Sequence, residues 1–418
     1  MPQNPHAATP AATSFSAASW DERHPFAHQH LTGLAADARV LGIGESAHFI
    51  AELNAARAAV VAALVPKGVT NLALEIGHDE APLVEQWLAG ERPEELQALV
   101  GTLTTALYGA FLADLRRRLP SDRRLHVMGV DLPNSLTIDV SLTPLAEVLD
   151  ELDPAAVDLV QATRELASQV VGGSAAASAS SWLALDSAMQ DSLTVHLTRL
   201  RARVDALGTV HARADDSQRW SRARALIDAA ATTDVMLRAM ADLFTETGRI
   251  DDTTIREVFV ARRVAEELAG LPDGDRIAYV AHNNHIQKAP VVFDGVLTAY
   301  PAGSLLADTL GPKYRAIALS HAADDVPEMS FPASTDVGFR VERVTAAPLG
   351  EHSVEAAAAN VLLTHEAAVV AWDGRGDAPA LHLRSQSATT EAAATAFDAA
   401  LVFAAATTDE AVQTLGLD

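Results

Sequence analysis

Five short apolar runs separated by helical stretches, with carboxylates and histidines at or just after their ends, constrain this chain more than any other feature. They are Arg39–Gly42, Asn71–Glu75, Leu125–Asp131, Arg276–Ala281 and Tyr314–Leu319. Apolar runs of strand length alternating with helices predict an α/β fold with a central, mainly parallel sheet flanked by helices. In such a sheet the carboxyl ends of the strands share one edge, where ligands bind. Glu45 and His48 follow the first run, Glu75 closes the second, Asp131 closes the third, and His282 and His285 follow the fourth. Residues far apart in sequence are thereby expected to meet at one place.

The rest of the chain is organised around that core. Residues 1–20 read as a disordered tail, 21–141 as the first half of the core, 142–270 as a long helical insertion, and 271–418 as the second half with an α/β C-terminal extension. The extension holds weaker strands at 339–344, 367–372 and 400–403. Gly172-Gly173-Ser174 is the soft joint of the insertion. His24, His28 and His30, in the polar lead-in, read as solvated.

Composition removes several function classes. With 31 Lys+Arg against 55 Asp+Glu the net charge is −24, which disfavours nucleic acid and anionic membrane surfaces as partners. The absence of cysteine removes disulfides, thiol nucleophiles and thiolate metal sites. No run of apolar residues is long enough for a membrane span, and the first twenty residues lack the pattern of a secretion signal. A soluble, cytoplasmic protein is the expectation. Oligomeric state leaves no trace in the sequence.

The stretch Gly42-Ile43-Gly44-Glu45-Ser46-Ala47-His48-Phe49 admits more than one chemistry. Its glycines loosely match a dinucleotide fingerprint, but Glu45 would put a negative charge where a pyrophosphate should sit. A Gly-x-Ser-x-Gly elbow is missing, so Ser46 reads as a helix-capping hydroxyl and not as a nucleophile. His48, Glu75, His282 and His285 offer donors for a divalent metal such as zinc, although their spacing lacks the helical His-Glu-x-x-His pattern. The alternative is cofactor-free general acid–base catalysis. A histidine steadied by carboxylates draws a proton from water, and a second imidazole or a guanidinium steadies the oxyanion.

Gly44-Glu45-Ser46-x-His48 with Arg57, Glu75, Gly129-Val130-Asp131-Leu132-Pro133, Ala281-His282-Asn283-x-His285, and the later Pro301-x-Gly303 and Leu310-Gly311-x-x-Tyr314 together resemble the erythromycin esterase family. The resemblance spans about residues 39–320. It implies hydrolysis of a macrolactone ester without a covalent serine intermediate or a required metal. On this resemblance His48 is the base, Glu45 and Glu75 are its supporting carboxylates, and His285 is the second essential histidine. Arg57 matches the motif arginine, and Asp131 and His282 match motif positions; together with Phe49 these are the candidate substrate-binding residues. Many members carry glycine directly after the base histidine, and Phe49 stands there as a bulky wall expected to influence substrate choice.

Helix geometry adds a constraint. Nine residues turn a helix by about 900°, so either the helix begins after His48 or Arg57 is structural. The expected substrate is a small-molecule or peptide-like natural product. Reuse of the same site by a biosynthetic tailoring enzyme for acyl transfer, dehydration or ring closure is the runner-up. A catalytically silent ligand-binding protein is the alternative from another class.

Overall fold

The computed structural model describes residues 15–211, 217–293, 296–331, 335, 337–372, 382–390 and 393–418. Its centre is an eight-stranded sheet of β1 (Phe15–Ser19), β2 (Val40–Ile43), β3 (Val69–Gly77), β4 (His126–Asp131), β5 (Arg276–Val280), β6 (Tyr314–His321), β7 (Ala367–Trp372) and β8 (Ala399–Phe403). The strand order is β1-β7-β8-β6-β2-β5-β3-β4. The pairs from β8 to β4 are parallel, and β7 runs antiparallel to both β1 and β8. This is the mainly parallel, helix-flanked sheet that the five apolar runs predict. Strands β2, β7 and β8 are buried along their whole length, as sheets covered by helices on both faces require. Two apolar clusters, one on each face, fill the space between sheet and helices.

Register explains why the chemistry converges. Ile317, Ile43, Val280, Leu74 and Gly129 form one row across five strands. Glu45, His282 and Asp131 lie two residues beyond that row, and Glu75 lies one beyond it. A bulge in the β3–β4 pairing falls between Leu74 and Gly77, the device by which strands re-aim a side chain at a sheet edge.

Helices run from Asp139 to Gly270 almost without interruption in the described residues and pack a third apolar cluster of their own. Ser174, at the glycine joint, accepts a hydrogen bond from the Ala177 N–H and so caps the helix Ala175–Leu183. In the C-terminal part, Asp325–Ser330 and Arg340–Thr345 pair as a separate antiparallel hairpin, so the run at 339–344 is not part of the main sheet.

Two assignments in the lead-in change. Residues 15–19 are not tail but the edge strand β1, paired along its length with β7; a Ser/Ala-rich strand carries no apolar alternation to announce itself. The histidines there are not simply solvated. His28 caps the helix Gln29–Asp37, and His30 Nε2 lies 2.9 Å from the Asp398 carbonyl. Among the described residues no helix is long and apolar enough to cross a membrane.

Candidate active site

The turn between β2 and the helix Ala51–Leu64 carries the first half of the site. Phe49 has φ +65°, in the left-handed region, and Ile50 is extended. The helix therefore starts only at Ala51, after His48, and its alanine-rich sequence sustains it to Leu64. A Cβ on Gly44 would lie 1.9 Å from Asn283 Oδ1. That glycine makes room for the Ala281–Ile286 segment to close on the turn, and does not cradle a phosphate. Ser46 caps nothing: the helix is preceded by Ile50 without a side-chain cap, and the buried Ser46 hydroxyl has no partner among the described residues.

His48 Nδ1 lies 2.9 Å from Glu45 Oε1, and the other Glu45 oxygen lies 2.9 Å from Arg57. Burial alone would raise the Glu45 carboxyl. The Arg57 guanidinium and the His48 hydrogen bond outweigh it and hold the group below its ordinary range. With Nδ1 so engaged, the His48 Nε2 has no protein partner among the described residues. The side chain is 15% exposed and faces a cleft.

The second half centres on His285. Its Nδ1 is 2.7 Å from Glu257 and its Nε2 is 3.1 Å from Glu75. An imidazole bonded to a carboxylate through each nitrogen is best served by two N–H donors. Burial would lower its pKa, but Glu257 and Glu75 together raise it to about 10, so His285 is a cation at neutral pH. Burial would raise Glu75 and Glu257, and the His285 charge reverses this in both; Glu75 ends well below the ordinary carboxylate value. Arg256 donates to Glu75 at 2.7 Å and to both Asp131 oxygens at 2.9 and 3.0 Å. Burial pushes Asp131 upward against the pull of that guanidinium.

The candidate residues thus divide. His48, Glu75 and Asp131 reach the cleft. Arg57 does not line the cleft: it is fully buried behind Glu45, with Tyr108 and Phe111 rings 5.7 and 5.4 Å from its guanidinium. His282 is buried too. Its Nε2 donates to the Ser46 carbonyl at 3.0 Å and its Nδ1 accepts from the Asn284 N–H. Burial first, then the His48 ring 5.2 Å away, lower its pKa to about 3. It is a neutral strut between the two halves.

Phe49 is also not a cleft wall. The ring is 1% exposed, packed on Phe339 and edge-on to His48. The glycine expected there is explained by backbone conformation, since glycine adopts positive φ without cost.

Sequence reasoning missed Arg256 and Glu257. They open the helix Thr254–Gly270, inside a stretch read only as insertion. The available signal was positional: the helix feeding a parallel strand begins at the edge where the neighbouring strands end. The Pro301-x-Gly303 motif acquires a role as well, because the Ala302 N–H donates to Glu257 at 2.8 Å.

The donors that a metal would draw on are engaged with other protein groups: both His285 nitrogens, His48 Nδ1 and both Glu75 oxygens. Among the described residues no group of three or more His, Asp or Glu side chains has metal-holding geometry.

The cleft beyond His48 encloses a cavity of about 300 Å³ with mostly apolar walls. Its lining includes Leu103 and Leu107, then Leu132, Pro133 and Leu136 after β4, and Met236 and Met240 of the helical insertion. Met329, Phe331 and Phe339, from the segment of the 325–345 hairpin, line it as well.

The erythromycin esterase family model matches residues 65–406. Erythromycin esterase type I of Escherichia coli is 35% identical over 387 residues, covering 91% of this chain and 94% of that protein. Erythromycin esterase type II of Escherichia coli is 24% identical over 342 residues, covering 78% and 79%. Among solved structures, a His-to-Asn mutant of the erythromycin esterase EreC in its open conformation superposes with a TM-score of 0.85. It is 33% identical, with 91% of this chain and 93% of that one covered.

Proposed function

Because the chain belongs to the erythromycin esterase family and is a carboxylic ester hydrolase, we propose that it opens a macrolactone ester by general-base activation of water at His48. The observation that carries this reading is the pairing of His48 Nδ1 with a buried, ion-paired Glu45, which leaves Nε2 to the cleft. Glu45 fixes the tautomer with the proton on Nδ1, so Nε2 holds the lone pair that accepts a proton from water. The water oxygen bonds the ester carbon as that proton moves to Nε2. The tetrahedral intermediate then expels the alkoxide, which takes the proton back from Nε2, leaving a carboxylic acid and an alcohol.

Arg256, 27% exposed and lining the cleft beside Glu75 and Asp131, is the guanidinium placed to steady the developing oxyanion. His285 acts through Glu75: its positive charge keeps that carboxylate ionised where it lines the cleft. The apolar walls suit the aliphatic ring of a macrolide better than a charged peptide.

Incubation with a panel of macrolide lactones and simple esters in ¹⁸O-water tests the reading. The expected product is heavier than the lactone by one water, with the label in the carboxylate and none in the recovered alcohol. Label in the alcohol, or a ligand bound and released without mass change, would overturn it. The second outcome would favour a silent binder, and an acyl transfer or dehydration product would favour a tailoring enzyme.

A further inference from the structure

The C-terminal segment reaches the back of the catalytic turn. Ala51 donates its N–H to the Thr407 carbonyl at 2.9 Å, Asp409 donates its N–H to the Phe49 carbonyl at 2.8 Å, and Ile50 and Thr408 form an antiparallel bridge. The left-handed Phe49 is therefore clamped by a two-sided pairing with residues more than 350 positions away. Such over-determination is what a non-glycine residue needs to persist at positive φ.

A side-chain line continues from this bridge to the base. Asn54 Nδ2 donates to Asp409 Oδ2 at 2.8 Å, Arg57 donates to Asn54 Oδ1, Arg57 pairs with Glu45 at 2.9 Å, and Glu45 meets His48 Nδ1 at 2.9 Å. Asp409, Asn54, Arg57 and Glu45 are each at most 5% exposed, so water does not screen the line.

We infer that Asp409 is a positioning residue for the catalytic base, setting the orientation of His48 through Asn54, Arg57 and Glu45; this rests on the general-base reading above. The polarity of the line carries the inference. Asp409 only accepts, so it requires the Asn54 amide to point its NH₂ outward and its oxygen at Arg57. That oxygen holds the guanidinium at the angle from which it meets Glu45. Nε and Nη1 of Arg57 have no partners among the described residues, so Asn54 and Glu45 alone orient it by hydrogen bond or ion pair. The other Asp409 oxygen accepts from the Ala411 N–H and caps the last helix, a task asparagine also performs.

The test compares Asp409→Asn with the exchange Asn54→Asp/Asp409→Asn in the full chain. Asparagine at 409 turns a donor toward the Asn54 NH₂. The amide must then flip and present NH₂ to Arg57. The exchange restores acceptor to donor along the whole line without changing composition or charge. Asp409→Asn is expected to lower kcat about 10- to 100-fold, as a small misplacement of a catalytic group does, with KM within about twofold. The exchange is expected to recover most of the loss.

The ¹⁵N resonances of His48, assigned by their disappearance in His48→Asn, should shift in the single variant and return in the double. Unchanged His48 resonances in Asp409→Asn would overturn the inference, as would a loss that the exchange fails to repair. If the wild-type chain turns over no lactone, the spectra still decide the orientation question, so the failure of the base reading and of this one are distinct.

Discussion

Replacing Glu257 by glutamine probes the charge state on which the second half of the site depends. One carboxylate oxygen accepts from the Ala302 N–H at 2.8 Å and the other from His285 Nδ1 at 2.7 Å. A glutamine has a single oxygen. If that oxygen keeps Ala302, the NH₂ faces Nδ1, and His285 must lose its Nδ1 proton. Losing one of two flanking carboxylates is worth about 1–3 pH units in the titration midpoint, so the value of about 10 should fall toward the range 7–9.

The linkage sign follows from a folded-state value raised above the ordinary 6.5. His285 contributes stability in full below pH 6.5 and loses it as pH rises through about 10. From 6.5 to about 10, at about 1.4 kcal/mol per tenfold change in proton affinity, the whole contribution is of order 5 kcal/mol. The substitution removes about 1–4 kcal/mol of it. For a chain of 418 residues that lowers the thermal midpoint by about 1–5 °C. The deficit should be constant at pH values below the variant's own midpoint and vanish above about pH 10. Imidazole ¹⁵N spectra, assigned with His285→Asn, should show a doubly protonated His285 in the wild type at pH 8. A neutral ring there, or a variant that titrates like the wild type, would refute the reasoning.

Other substitutions separate base, support and scaffold. His48→Asn should cut turnover by about 10²–10⁴ while leaving the thermal midpoint within about 2 °C; a variant of normal turnover removes the base assignment. Arg57→Met should destabilise by about 3–5 kcal/mol, because Glu45 is left buried without its cation; denaturant midpoints measure this, and a shift under about 1 kcal/mol would mean the pair carries little. Phe49→Ala loses a buried ring yet keeps a Cβ at positive φ, whereas Phe49→Gly loses the ring and the Cβ together and with them the strain of the left-handed turn. Urea unfolding should therefore find the glycine variant about 1 kcal/mol more stable than the alanine variant; the reverse order would contradict the left-handed turn. Acidification removes the lowered carboxylates of Glu45, Glu75 and Glu257. Their stabilisation is present above the ordinary value near 4.5 and lost as pH falls through the folded values. Acid unfolding should accordingly begin at higher pH in Glu75→Gln than in the wild type.

The sequence disclosed the sheet edge but only part of what assembles on it, and the division has a physical origin. Strand ends are legible because an apolar run that stops on a carboxylate has few explanations, and a parallel sheet aligns its strand ends whatever the helices between them do. Glu45, Glu75, Asp131 and His282 lie one or two residues beyond a single register row for that reason. Arg256 and Glu257 obey the same geometry from the opposite direction, at the first turn of a crossover helix. A polar pair on a helix, however, looks like any solvated face until its partners are known. Asp131 lies 125 residues from Arg256, and Glu257 lies 28 from His285.

Arg57 and His282 stand at motif positions, where the resemblance implies ligand-facing residues. A fully buried arginine and a histidine held near pKa 3 instead brace the turn that carries His48, whose Nε2 has no protein partner among the described residues. The same logic accounts for Phe49. A glycine at that position satisfies the backbone alone; a phenylalanine satisfies it only because the 407–409 bridge holds the turn and Phe339 receives the ring. Residue 49 therefore marks how rigidly the turn that carries His48 is held. The side chains that do line the cleft with His48 include Met236, Met240, Met329, Phe331 and Phe339.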